Sequence, residues 1–137
     1  DFHGVAESGA FPYTPYWHGT AALYAATELL VKEGLENVFR RHEDAAAYCR
    51  GRLARMGLSL YPSASAIQSP TLTAVNVPEK MAWQELDARF RRQGLVVGGN
   101  YGPLAGKVFR IGHMGAQANR ALLEQACDVI EKVIASL

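Results

Sequence analysis

One arginine of the chain occupies a position from which it could bind a carboxylate. Arg110 lies in the middle of Val108–Gly112, a short β-branched and aromatic segment that predicts a strand. Because side chains alternate along a strand, Phe109 and Ile111 point to one face and Arg110 to the other. A guanidinium on a free face can bind a carboxylate through two parallel hydrogen bonds. From spacing alone, its partner is either the carboxylate of a ligand or an acidic residue of the same chain.

Glycines are concentrated around this segment. Seven of the 13 glycines lie between positions 94 and 115: Gly94, Gly98, Gly99, Gly102, Gly106, Gly112 and Gly115. Glycine tolerates positive φ and allows a ligand or another chain to approach the backbone closely. The same residues would also serve as tight turns between short strands, so both interpretations stay open.

Part of the glycine-rich segment superficially resembles a phosphate-binding loop. In Gly102–Lys107 the glycine spacing is one residue short, and Val108 replaces the Ser or Thr that would bind magnesium. A strand follows where a helix N-terminus is needed. We therefore reject a nucleotide-binding loop.

The remaining reactive side chains form no recognisable catalytic or metal-binding group. The four histidines lack the ligand spacing of a metal site. Cys49 and Cys127 fall on helical positions that we expect to be buried. The four lysines (Lys32, Lys80, Lys107 and Lys132) fall at exposed or turn positions, and none has the apolar surroundings that lower the pKa of an amine.

Hydrophobic periodicity and turn residues predict four helices and four strands in the order α-α-β-β-α-β-β-α. The predicted helices are Tyr16–Lys32, Leu35–Met56, Ala82–Arg92 and a last one that begins after Asn119. The predicted strands are Leu58–Tyr61, Thr71–Val77, Leu95–Val97 and Val108–Gly112. We expect Thr14 to cap the first helix, with Pro15 in its first turn. The fold class is α+β, with helices packed on one face of a small, mostly antiparallel sheet.

Composition limits the classes of partner. The 137 residues carry 14 basic and 13 acidic side chains, a net charge of +1 that argues against a dedicated nucleic-acid binder. No apolar run is long enough to cross a bilayer, so we expect no membrane partner. Two cysteines indicate reduced thiols in an intracellular protein. The chain begins at Asp1 without an initiator methionine, which leads us to expect a piece of a longer polypeptide.

Five segments of the chain, in order and at the right spacing, resemble class V aminotransferases. These segments are Phe11–Pro15, Glu33–Asn37, Arg41–His42, Ser69–Val75 and the long block Gly98–Gly115. The similarity spans about residues 11–135. It is greatest to the alanine–glyoxylate and serine–glyoxylate (serine–pyruvate) aminotransferases, which are fold-type I pyridoxal-phosphate enzymes.

This resemblance implies a carboxy-terminal portion, in which residues 1–15 end the large domain and residues 16–137 form the small domain. It implies that Arg110 binds the α-carboxylate of the amino and 2-oxo acid substrates and that the turn at Gly98 and Gly99 borders their pocket. It also implies that Thr14 reaches the cofactor phosphate of the partner subunit in a homodimer. Several family members have a phosphate-binding tyrosine where this chain has Phe11, so no role is carried over to Phe11.

By the same resemblance, pyridoxal 5'-phosphate is bound mainly by an N-terminal large domain that precedes residue 1. Its covalently bound lysine lies there too, so we do not expect this chain to be active alone. The predicted function is amino-group transfer from alanine or serine to glyoxylate or pyruvate. The alternatives are a stand-alone α+β module that binds small carboxylates through Arg110, and a dimerisation module that uses the alanine-rich face of Tyr16–Lys32. We expect a cytoplasmic location, because Ile134–Leu137 is not a peroxisomal address.

Overall fold

The computed structural model describes residues 2–11 and 13–136, which form two compact units that divide between Val38 and Phe39. The helices are α1 (Phe2–Ser8), α2 (Trp17–Glu33), α3 (Leu35–Arg55), α4 (Trp83–Arg92) and α5 (Arg120–Ile134). The strands are β1 (Leu72–Asn76) and β2 (Val108–Gly112). A search of the described helices finds none with the length and apolarity of a membrane span.

The start of α2 differs from the prediction. The helix begins at Trp17, and its N-cap is Tyr16, with no side-chain cap. The Trp17 N–H donates to the Pro15 carbonyl (2.8 Å), and Tyr16 has φ −74° and ψ 76°, which is the geometry of an inverse γ-turn. This turn keeps Pro15 outside the helix, so the prediction that Thr14 is the cap is wrong. The predicted end of the helix near Lys32 is confirmed, since α2 ends at Glu33 and Gly34 follows as its C-cap with φ 85°.

Two further features of the first unit were not anticipated. Seven residues of the aperiodic N-terminal segment form α1. The 17-residue α2 has no buried residue, and large apolar side chains occur on all its sides. Those that are at least 64% exposed are Trp17, Leu23, Tyr24, Leu29 and Val31.

The second unit is built on a two-stranded antiparallel sheet in which Ala74 pairs with Arg110 and Val75 with Phe109. Of the two outer segments that we predicted as strands, Leu58–Tyr61 contributes one bridge, Leu60 to Val75, and the bridge from Gly98 to Arg110 lies one residue beyond Leu95–Val97. Each of these segments forms only a pair of backbone hydrogen bonds to its neighbour before a turn follows, too few for a regular strand. The prediction of two outer strands is therefore wrong, whereas the two central strands and the α+β class are confirmed.

One face of the sheet is covered by helices and the other is half-open. Along β1, buried residues alternate with half-exposed ones. Phe109 is fully buried and contacts Phe90 of α4, with ring centroids 5.9 Å apart. Helices α3, α4 and α5 contribute further residues to this single core: Cys49, Leu53, Leu86, Leu123 and Ile130. Helical periodicity predicts that Leu35 and Leu137 lie on the apolar faces of the second and the last helix. Leu35 is exposed, and Leu137 lies outside the described residues.

Helices α3 and α5 contact each other through two free thiols in the core and through two ion pairs of Arg52 at the surface. Cys49 and Cys127 are free and buried, as predicted. The adjacent Cys127 thiol, together with burial, raises the pKa of Cys49 well above its usual range. Arg52 donates to both Asp128 (2.7 Å) and Glu131 (2.8 Å). These contacts hold the two helices together beside the sheet. Asn119 caps α5 through its side-chain oxygen, as predicted.

Candidate carboxylate site

The backbone of Arg110 is fixed between two neighbouring segments. On one side it pairs with Ala74 of β1. On the other, its N–H donates to the Gly98 carbonyl (2.7 Å) and its C=O accepts from the Gly98 N–H (3.0 Å). The side chain lies on the face opposite Phe109, as the alternation predicts, and is half-buried. Arg110 thus projects from a position at which the strand has a neighbour on both sides.

The guanidinium is oriented by a single backbone oxygen. Nε (3.0 Å) and Nη2 (2.8 Å) of Arg110 both donate to the carbonyl of Gly99. That contact occupies one edge of the guanidinium fork. The N–H groups of Nη1 and the second N–H of Nη2 form the other edge, which has the spacing of a carboxylate.

Sequence left open whether Arg110 pairs with an acid of the same chain. Within residues 2–11 and 13–136, the ion pairs join other residues, and none includes Arg110. Arg110 and Gly98 also line a groove of about 400 Å³ between the segment 94–98 and α5. An arginine with an open hydrogen-bonding edge and no acidic partner among the described residues is suited to an anionic ligand.

The glycine whose carbonyl orients Arg110 is required by space. A Cβ on Gly99 would lie 2.9 Å from Nε1 of Trp83 and 3.2 Å from the next ring atom. The indole cannot easily move, because it is stacked on Phe109 with ring centroids 5.6 Å apart. A Cβ on Gly98, in contrast, would be 3.6 Å from its nearest neighbour, an ordinary contact. A side chain at position 99 would therefore collide with Trp83, whereas position 98 has room for a methyl group.

Of the seven clustered glycines, Gly94, Gly102, Gly106 and Gly115 have positive φ and form turns.

An aromatic residue that sequence reasoning missed lies against the guanidinium. The ring centroid of Tyr101 is 5.7 Å from Cζ of Arg110, within the range of a cation–π interaction. The tyrosine is 80% exposed. Its position in the glycine-rich loop, between Gly99 and Gly102, was the available signal for it.

The segment that follows β2 is held by two histidines and an arginine. His113 is buried; its Nδ1 lies 3.1 Å from the Pro70 carbonyl and its Nε2 lies 2.8 Å from the hydroxyl of Thr73. The Gly115 N–H donates to Nε2 of His42 (3.0 Å), and Arg41 donates to the Gly115 carbonyl (2.6 Å). These bonds fix the end of β2, and with it the register that positions Arg110.

The remaining predicted site residue lies elsewhere in the chain. Thr14 belongs to the first unit, in an exposed segment before α2. The neighbouring Phe11 and Tyr13 are exposed as well. All four lysines are exposed. Across the described residues, no three histidine, cysteine or acidic side chains form a group that could hold a metal ion.

Known proteins with a similar sequence and fold are aminotransferases. No family model matches the chain. It is 38% identical over 125 residues to alanine–glyoxylate aminotransferase of Callithrix jacchus, covering 87% of this chain and 30% of that protein. It is 37% identical over 117 residues to serine–glyoxylate aminotransferase of Methylorubrum extorquens, covering 85% and 29%. The structure of pyridoxamine–pyruvate aminotransferase from Mesorhizobium loti superposes with a TM-score of 0.87 at 34% identity, covering 93% of this chain and 33% of that one.

The chain corresponds to the carboxy-terminal portion of these aminotransferases. It spans about a third of the length of the relatives it matches. Its fold is that of the small domain of fold-type I enzymes. The names of the three relatives give alanine, serine and pyridoxamine as amino donors, so this aminotransferase fold is shared by proteins that act on chemically different amines.

Proposed function

We propose that this chain is the substrate-carboxylate-binding part of a pyridoxal-phosphate aminotransferase of class V, which transfers an amino group from alanine or serine to glyoxylate or pyruvate. The observation that carries the proposal is the orientation of Arg110. One edge of its guanidinium donates to the Gly99 carbonyl, and the other edge has no acidic partner among the described residues. Every amino acid and 2-oxo acid substrate of such a reaction has a carboxylate that this edge would bind.

Arg110 acts by position and charge. Two parallel hydrogen bonds fix the plane of the substrate carboxylate and thereby the direction of the bond to carbon 2, where the amino group is exchanged. The Gly99 carbonyl prevents the long side chain from sampling other rotamers, so little conformational entropy is lost on binding. Because Gly98 has no side chain, it leaves the space beside the guanidinium open to a ligand.

The cofactor would be held only in part by this chain. Pyridoxal phosphate, when bound, supplies the electron sink for amino-group transfer. Thr14 fits the phosphate: its hydroxyl is exposed and it precedes the 17-residue helix α2, whose first-turn N–H groups favour an anion. The four exposed lysines do not fit the lysine that holds the cofactor covalently. We propose that this lysine belongs to the part of the relatives that this chain does not span.

The same proposal includes a homodimer, in which Thr14 serves the phosphate of the partner subunit, and a cytoplasmic location. The exposed position of Thr14 supports the first, because a residue that serves another subunit must be accessible. Cross-linking of the complete polypeptide and cell fractionation would test the two statements separately.

The test of the proposal is the kinetics of Arg110 variants in the complete polypeptide that carries this chain. Arg110→Ala should raise KM for both the amino and the 2-oxo acid, because it removes a charged bidentate contact worth about 2–4 kcal/mol. That loss corresponds to a fall in kcat/KM of about 30-fold or more. Arg110→Lys keeps the charge but loses the fork, so its KM should lie between those of the parent and the alanine variant.

A matched control is Arg92→Ala, which removes an exposed arginine of α4 that makes no ion pair with any residue that the structure describes. It should leave both KM values unchanged. Unaltered KM values for both substrates in Arg110→Ala would rule out the assignment.

A further inference from the structure

Tyr101 forms part of the surroundings of Arg110 and is not used by the function proposed above. Its ring lies close to the guanidinium, with 5.7 Å between the ring centroid and Cζ. The Gly99 carbonyl lies at one edge of the guanidinium plane. Because the ring centroid is only 5.7 Å from Cζ, a carboxylate bound to the guanidinium would share its surroundings with the ring, and so would the substituents on its carbon 2.

The backbone on which the ring is carried is fixed by its own hydrogen bonds. The Tyr101 N–H donates to the side-chain oxygen of Asn100 (3.0 Å). The Tyr101 carbonyl accepts from the N–H of Leu104 (3.2 Å), closing the turn that Gly102 enters with φ 54°. Because the tyrosine is 80% exposed, packing in the core does not account for an aromatic residue here.

An aromatic face next to a cation distinguishes between ligands. The ring face carries partial negative charge, so it attracts the guanidinium and repels a second carboxylate brought against it. It also occupies volume on one side of the guanidinium plane, which shortens the side chain that a bound substrate can carry on that side. A small, uncharged substituent meets neither penalty.

We propose that Tyr101 is a specificity-determining residue of the carboxylate site, which favours substrates with one carboxylate and a short, uncharged side chain over dicarboxylic substrates. This inference rests on the proposed role of Arg110 as the carboxylate ligand. Substrates of the size of alanine, glyoxylate and pyruvate belong to the favoured class, and aspartate belongs to the disfavoured one.

The experiment compares alanine and aspartate as amino donors for the complete polypeptide, with glyoxylate as the common acceptor. In Tyr101→Ala, kcat/KM for alanine should fall about two- to five-fold, which is the loss expected for an exposed cation–π contact. The fall should come from a higher KM and not from a lower kcat. The value for aspartate should stay the same or rise, so the alanine-to-aspartate ratio should fall by at least that factor. Tyr101→Phe keeps the ring and should keep the ratio. Inhibition constants of propionate and succinate give the same comparison without turnover.

Tyr61→Ala is the matched control, since it removes another exposed tyrosine, next to the bridge at the opposite edge of the sheet. It should leave the ratio unchanged. An unchanged ratio in Tyr101→Ala, with KM still raised in Arg110→Ala, would overturn the role of Tyr101 and leave the proposed function intact. Loss of the ratio in Tyr101→Phe would overturn the role of the ring, because the hydroxyl would then be the determinant. Normal KM values in Arg110→Ala would overturn both proposals.

Discussion

At Gly99 the space for a side chain is occupied by the indole of Trp83, and this contact determines where the carbonyl that orients Arg110 can lie. Gly99→Ala would bring a methyl group within 2.9 Å of Nε1 of Trp83. Because the indole is stacked on Phe109, the backbone must shift, and we expect a loss of stability of about 1–3 kcal/mol. Urea denaturation measures this loss.

The neighbouring glycine supplies the control for that prediction. At Gly98 a new methyl group would be 3.6 Å from its nearest neighbour, so Gly98→Ala should change stability by less than about 1 kcal/mol. Trp83→Phe removes the indole nitrogen and keeps a ring against Phe109, so it should recover part of the loss when combined with Gly99→Ala. Equal effects of the two single glycine substitutions would contradict this account.

At the scale of elements, the end of β2 is fixed to the segment before β1 by a buried histidine. The Nδ1–H of neutral His113 donates to the Pro70 carbonyl (3.1 Å), and Nε2 accepts from the Thr73 hydroxyl (2.8 Å). Burial lowers the pKa of His113 below its ordinary value of 6.5, and the positive charge of Arg50 lowers it further. Protonation would add a charge to the core and leave Nε2 unable to accept.

The direction of the pH dependence follows from that lowered pKa. Below pH 6.5 the unfolded chain binds a proton at His113 that the folded chain does not, so the unfolded state gains stability. The contribution of His113 is therefore complete above pH 6.5 and decreases as the pH falls towards the lowered value in the folded protein. We expect the melting temperature to drop between pH 7.5 and 5.5, with a shallower slope in His113→Gln.

The sequence was sufficient to predict elements whose signal lies in a few adjacent residues. It was insufficient where contacts with residues distant in the chain determine the conformation. Residues 108–112 form a strand and Asn119 caps α5, because alternation and capping are properties of a few adjacent residues. The cap assigned to Thr14 failed, because an inverse γ-turn at Tyr16 is an equally local alternative that the residue types do not exclude. The contact of Tyr101 with Arg110 depends on the path of a loop, and periodicity carries no information about that path.

At the scale of the whole molecule, α2 is apolar and uncovered. A helix with no buried residue and several large apolar side chains exceeds the scattered exposure that is normal for a monomer. Leu23 and Leu30 are seven residues apart and lie on one face of the helix, where both are exposed. We expect this chain, when isolated, to self-associate through that face, as the dimerisation alternative requires.

Sedimentation velocity over a range of concentrations tests the expectation. The average mass of the parent chain should rise with concentration, and Leu23→Glu combined with Leu30→Glu should abolish the rise, because two buried carboxylates without partners oppose association. Leu122→Glu, which adds a charge at an exposed apolar position of α5, should leave the rise in average mass unchanged.

Titration of the same samples with pyruvate separates the two alternatives to catalysis. Association without binding favours a dimerisation module, whereas binding that Arg110→Ala removes favours a carboxylate-binding module. A parent chain that stays monomeric at every concentration would show that the apolar surface of α2 is not sufficient for association, and the dimerisation alternative would be dropped.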